Sequence, residues 1–136
     1  MAVTSQICAD GLTMTDTNDL NVLGKPLACC GTAPMTGFYR DGYCRTGRND
    51  LGSHVVAAVV TRAFLDYTRA QGNDLETPHP AYGFPGLKPG DRWCLCALRW
   101  KEAEAAGMAP LVRLDATHAK ALDVIPLETL RRHAQP

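Results

Sequence analysis

The clearest hydrophobic pattern starts at His54. Residues 54–60 (HVVAAVV) are apolar at every position from Val55 onward and follow the turn pair Gly52-Ser53. An unbroken β-branched run of this length predicts a strand covered on both faces. Residues 61–71 (TRAFLDYTRAQ) change to helical spacing, with Ala63, Tyr67 and Ala70 on one face and Gly72 as the C-terminal stop. A second strand is predicted over 92–98 (RWCLCAL), led in by Lys88-Pro89-Gly90-Asp91. A second helix follows over 99–106 and ends at Gly107. Residues 111–115 (LVRLD) alternate Val112 and Leu114 with Arg113 and Asp115, the mark of a strand at or near a sheet edge. Thr117 is placed to cap a short helix reaching Val124. Pro126 opens a last one with Leu127, Leu130 and Ala134 on one face. Glu128 near its start and Arg131, Arg132 and His133 near its end suit the helix dipole. The pattern predicts one α+β or α/β domain over 20–136. Its sheet has about three to five strands, with central strands near 54–60 and 92–98, a further one near 111–115, and helices following strands.

Two stretches lack this regularity. Residues 1–19 are polar, Thr-rich and aperiodic, and read as a flexible arm. Residues 21–49 are rich in Gly, Pro and aromatic side chains, with turn signals at Pro34, Gly37, Asp41-Gly42, Gly47 and Asn49-Asp50. Asp41-Gly42 between Phe38-Tyr39 and Tyr43-Cys44 is spaced for a small hairpin. Between the two strand–helix units, residues 73–91 carry Pro78, Pro80, Pro85 and Pro89. A loop this long inside one domain covers something or moves. With His79, Tyr82 and Phe84 it is expected to pack on the body, as a lid or as a surface-hugging loop.

Composition narrows the function classes. The chain has 136 residues, 46% hydrophobic and 21% charged, which reads as globular. Its 14 basic residues equal its 14 acidic ones. A neutral chain with scattered basic residues argues against a nucleic-acid partner held by phosphate neutralisation. No run approaches the ~18 apolar residues that a bilayer span needs, so no membrane partner is expected. The first residues lack both the basic start and the apolar core of an export signal, so a cytoplasmic location is expected. The six cysteines are then expected to be mostly reduced. A homo-oligomer stays open.

Common catalytic signatures fail at the first step. Gly37 and Gly42 have P-loop spacing, yet Tyr43-Cys44 stands where Lys-Ser/Thr is required. G-x-G-x-x-G, H-E-x-x-H, G-x-S-x-G and C-x-x-C are all missing. What remains is thiol placement. Cys29-Cys30 and Cys44 flank the Gly-rich segment, and Cys94 and Cys96 share one strand face. Zinc takes four thiolates in a tetrahedron, so Cys30, Cys44, Cys94 and Cys96 are the candidate metal ligands. Residues i and i+2 on a strand rise ~6.6 Å apart, which splays their sulfurs, and the plainer reading is that Cys94 and Cys96 are small buried hydrophobes. His54 sits at the mouth of a strand beside Asp50, Arg40 and Cys44, as a general base for a thiol would, or as a loop-holding histidine. Cys44, His54 and Cys94 are thus the catalytic candidates. Arg40, Asp41, Asp50, His54 and Trp93 are the candidate small-ligand contacts, although Trp93 and Trp100 also suit core anchors. Three classes stay in play: a module binding a small ligand or metal through a Cys/His cluster, a thiol-dependent enzyme assisted by His54, and an interaction protein with every cysteine packed. The first is preferred.

Several longer words of the sequence point to a family. They are Asn21-Val22-Leu23-Gly24, the run from Pro34 to Gly42 (PMTGFYRDG), Asp50-Leu51-Gly52-Ser53-His54, the run from Phe84 to Cys96 (FPGLKPGDRWCLC), Arg99-Trp100 and Ala116-Thr117-His118. Together they resemble the bacterial domain of unknown function 2237, over nearly everything from Asn21 to Ala134. The resemblance implies a single bacterial domain whose pattern includes cysteines matching Cys30, Cys44, Cys94 and Cys96 and a histidine matching His54. Cys8 and Cys29 are particular to this chain, and the resemblance implies no activity.

Overall fold

The computed structural model describes residues 19–135; the expected N-terminal arm, with Cys8, lies outside the described residues. The strand predicted from the apolar run forms as β1, His54–Val59, with Val55 to Ala58 fully buried. It is the middle strand of a three-stranded antiparallel sheet of order β2-β1-β3. The flanking strands are β2, Arg92–Cys96, and the short β3, Leu111–Val112. Helix α1, Arg62–Ala70, follows β1; α2, Ala97–Ala105, follows β2; and α3, Leu127–Arg132, closes the chain. The class is α+β.

The long Pro-containing loop explains the antiparallel pairing. Helix α1 carries the chain away from the end of β1, and residues 73–91 carry it back to that same end. There Val60 N–H donates to Asp91 O at 3.0 Å and Gly90 N–H to Val60 O at 2.8 Å. β2 therefore runs opposite to β1, with Val59 facing Arg92 and Ala57 facing Cys94. The loop packs on the body as expected. Leu87 is buried, Leu75 and Phe84 pack against the core, and Phe84 meets Trp93 at 5.2 Å between ring centroids. Glu76 is held between Arg62 and Arg69 of α1.

Several local expectations are corrected. α1 buries Phe64, Leu65 and Thr68, while Ala63 and Ala70 are exposed. The helix turns its largest apolar side chains inward because they remove the most area from water, ~1.5–3 kcal/mol each, and alanines offer little. Thr61 caps this helix by accepting from Phe64 N–H at 3.1 Å. Asp41-Gly42 closes no hairpin. Gly42 N–H donates to Thr36 O and Gly42 O accepts from Cys30 N–H, so the segment is a looped turn against residues 30–31. β2 gives way to α2 with no intervening loop. Past β3 come single turns of 3-10 helix, Leu114–Ala116 and Ala119–Asp123, in place of a longer strand and an α-helix. Thr117 ends the first turn and is not the N-cap of the second, which is His118; the Thr117 hydroxyl donates to Arg113 O at 2.8 Å and accepts from Ala57 N–H at 3.1 Å, tying the turn to β1.

The main core gathers Val55, Val56, Phe64, Leu65, Leu95, Trp100, Ile125 and Leu130 between sheet and helices. Trp100 is fully buried and its Nε1–H donates to Pro110 O at 3.3 Å. A second, smaller core on the other face of β1 holds Cys30, Cys44, Ala57, Cys94 and Ala116. No helix among the described residues is long and apolar enough to cross a membrane.

Candidate functional site

The turn before β1 builds an Asp–His pair. Asp50 N–H donates to Gly47 O at 2.9 Å and Ser53 N–H to Asp50 O at 3.1 Å, which folds the chain back so that residues 50 and 54 meet. Asp50 is buried, and its Oδ1 lies 2.6 Å from His54 Nδ1. Its Oδ2 accepts from His54 N–H at 2.9 Å and from the Thr46 hydroxyl at 3.0 Å. Burial alone raises this carboxyl, but the hydrogen bonds from His54 backbone and ring, with that from Thr46, outweigh it and hold Asp50 below its usual range. An ionised Asp50 keeps the proton of a neutral His54 ring on Nδ1, leaving Nε2 as the acceptor. Gly52 makes room for the ring: a Cβ there would stand 2.8 Å from His54 Cε1. Ser53, with φ of 49°, occupies the left-handed region that side chains disfavour, so the turn is strained where it presents His54.

His54 opens onto a cavity of about 490 Å³ along β2, lined also by Phe38, Arg40, Trp93, Cys96 and Arg99. Among the described residues no Asp or Glu lines it. Phe38 stacks on the His54 ring, 6.4 Å between centroids and 15° between planes. Arg40 lies with its guanidinium 5.4 Å over the Trp93 ring and, like Ser53, has a positive φ, 56°. Its turn depends on Gly37, whose φ is 99° and where a Cβ would come 2.5 Å from Tyr43 O. Arg99, in the first turn of α2, donates to Gln71 O and to Glu102, each at 3.3 Å. Cys96 is a free thiol, half-buried, directly opposite His54 in the β1–β2 register and at the N-cap position of α2.

A second sulfur site lies deeper. Cys44 and Cys94 form a disulfide, their Cα atoms 5.2 Å apart across 50 residues of chain. The expectation of mostly reduced cysteines is corrected here, and Cys29 is disulfide-bonded as well. The expectation rested on compartment, whereas pairing depends on a Cα approach that spacing in sequence does not reveal. Cys30 stays a thiol beside this disulfide, fully buried, and burial pushes it up to about 12 against the lowering influence of Arg113 and Arg92. The sulfurs of Cys30, Cys44 and Cys94 all lie within 4.8 Å of one another, a group that can hold a metal ion. Cys96 is not among them.

The sequence candidates thus divide between two places. Arg40, His54, Trp93 and Cys96 come together on the cavity, with Asp50 behind His54, while Cys30 and Cys44 meet in the core. Cys94 borders both. Asp41 turns to the loop itself, accepting from Tyr43 N–H at 3.0 Å and pairing with Arg45 at 2.7 Å. Phe38 and Arg99 were not singled out as ligand contacts. Arg99 reads in sequence as an ion-pairing residue at the end of a strand, and only the abrupt β2–α2 junction brings it to the cavity.

A family model described as an uncharacterized protein conserved in bacteria, domain of unknown function 2237, matches residues 20–134. The chain belongs to this family. A comparison with curated proteins finds no match. The family description carries no activity, so for this member of the 2237 family function has to be argued from the cavity and the sulfur cluster.

Proposed function

We propose that the protein binds a small organic anion in the His54 cavity. The carrying observation is that Arg40 and Arg99 line one concave site with His54 and, among the described residues, no acidic side chain, in a chain of zero net charge. Unlike-charged walls attract an anion, and a concave, partly apolar surface concentrates that field. Guanidinium groups grip carboxylate or phosphate oxygens through paired donors, and Phe38 and Trp93 offer faces for an apolar body. Asp50 keeps the His54 ring oriented for one specific hydrogen bond. Succinate titrated into labelled protein is expected to shift the His54 ring and Trp93 indole resonances, with neutral succinamide having little effect. Arg99→Gln is expected to weaken succinate about tenfold, the scale of one charge-assisted bond. Equal shifts with succinamide, or shifts unaltered in Arg99→Gln, contradict the proposal.

A second reading is favoured by the 4.8 Å grouping of Cys30, Cys44 and Cys94. In a reducing cytoplasm, where we place the protein, the opened disulfide supplies two thiolates to a metal such as zinc, with Cys30 as the third. Cobalt(II) added to reduced protein is expected to give thiolate-to-metal absorbance that zinc displaces. Absorbance unchanged by adding cobalt contradicts it.

A further inference from the structure

We propose that Cys96 is the nucleophile of a Cys96–His54–Asp50 site that transfers the acyl group of a small, carboxylate-bearing ester or thioester. The proposal rests on the anion-binding reading for its substrate class, and on separate observations for its chemistry. Cys96 and His54 are register partners on neighbouring antiparallel strands, at the irregular step where the β1–β2 ladder shifts between His54 and Val56, the kind of place where a bulge re-aims side chains at a site. Both line the same cavity. Asp50 is the positioning residue, 2.6 Å from His54 Nδ1, so the base, its orienting carboxylate and a free thiol stand in sequence.

The backbone around Cys96 suits acyl transfer in particular. The residue ends β2 and caps α2, a strand-to-helix junction like those that present nucleophiles on other folds. Helix α2 has no side-chain cap, and of its first-turn amides Ala97 N–H already donates to Ser53 O at 3.0 Å, which leaves the amides after it facing the helix start. Cys94 N–H points away from β1 to the Thr36 hydroxyl at 2.8 Å, and by strand periodicity Cys96 N–H lies on that same outer edge, along which the cavity runs. Cys96 N–H and the helix amides beyond Ala97, rather than the engaged Cys94 and Ala97 amides, are the donors for a developing oxyanion. Arg40 and Arg99 take the distal carboxylate.

In the first step His54 Nε2 accepts the thiol proton as Sγ attacks the carbonyl carbon. The bond from carbon to the leaving oxygen or sulfur breaks, and that atom departs with the bonding electrons and takes the proton from His54. The acyl group remains on Cys96 as a thioester. Water then attacks the same carbon while His54 takes its proton. The C–S bond breaks, Sγ recovers the proton, and a free carboxylic acid leaves.

The test uses mono-para-nitrophenyl succinate against para-nitrophenyl acetate, following nitrophenolate release and locating the adduct by peptide mass mapping without reductant. The expected result is a burst of nitrophenolate stoichiometric with protein, with the succinyl adduct on Cys96 and about a tenfold preference for the succinyl ester. His54→Gln is expected to slow acylation about a hundredfold, the usual worth of a general base. Cys96→Ser, with near-ultraviolet circular dichroism confirming its fold, is expected to lose the burst. An adduct on another residue, or acylation of Cys96 no faster than of free cysteine, overturns the proposal. So does an unchanged rate in His54→Gln. No adduct on Cys96 while succinate still shifts the His54 resonances overturns the nucleophile and leaves anion binding standing. Equal rates for the two esters at Cys96 do the reverse.

Discussion

Cys94 and Cys96 lie on the same five-residue strand, with only Leu95 between them, yet they sit in different surroundings. Cys94 is bonded to Cys44 and packed with Cys30, Ala57 and Ala116 in an apolar pocket of the core. Cys96 is free, partly open to solvent, opposite His54 and at a helix start. Burial favours the neutral or bonded form of sulfur, because an ionised thiol loses its hydration there; Cys30, held up near 12, shows the strength of that penalty. The difference teaches that two thiols one residue apart on a strand are set apart by burial: Cys94 is enclosed and bonded, and Cys96 is left free on the cavity.

Removing the deep pair is expected to have the largest effect. Cys44→Ser with Cys94→Ser frees a loop of 50 residues and should cost about 4 kcal/mol by chain entropy, read from urea midpoints. Cys96→Ser should cost less than about 1 kcal/mol, and equal costs would erase the contrast. Next is Asp50→Asn, which weakens three hydrogen bonds at a buried site and should cost about 2 kcal/mol at neutral pH. The folded-state pKa of Asp50 lies below its unfolded value of about 3.9, so this stabilisation is fully present above that value. It is lost as pH falls through the lower, folded one. The gap between the two proteins should therefore shrink in acid, and a gap constant down to the acid transition would contradict the Asp50 assignment. Gly52→Ala pushes a methyl against the His54 ring, 2.8 Å from Cε1 and 3.3 Å from Nε2. It should cost about 1.5 kcal/mol and weaken succinate binding while sparing the disulfide. Smallest is Ser53→Gly, which relieves the left-handed backbone and should add about 1 kcal/mol of stability in thermal melts.

Much of the frame was legible because it is local. The apolar, β-branched run at 54–60 reads as a covered strand, and Gly72 and Gly107 mark where α1 and α2 stop. The family match agrees with the words quoted from the sequence. The face of α1 was misjudged because alanines satisfy a periodic pattern without filling a core. The site was legible in its members but not in their grouping. Asp50 and His54 are near neighbours and visibly so. Cys96 and Arg99, by contrast, meet them only through strand register and a helix that begins without a loop. The Cys44–Cys94 bond joins a Gly-rich turn to a strand, and no spacing rule connects those segments.

The most direct test of the separation between the two sulfur sites, and of the cationic cavity, is native alkylation. Iodoacetate and iodoacetamide would be compared without reductant, and rates assigned to each cysteine by peptide mapping. The account predicts rapid labelling at Cys96, none at Cys30, Cys44 or Cys94, and a stronger preference for anionic iodoacetate at Cys96 than a free thiol shows. Labelling of Cys30 at the rate of Cys96, or a preference at Cys96 no different from that of free cysteine, would contradict it.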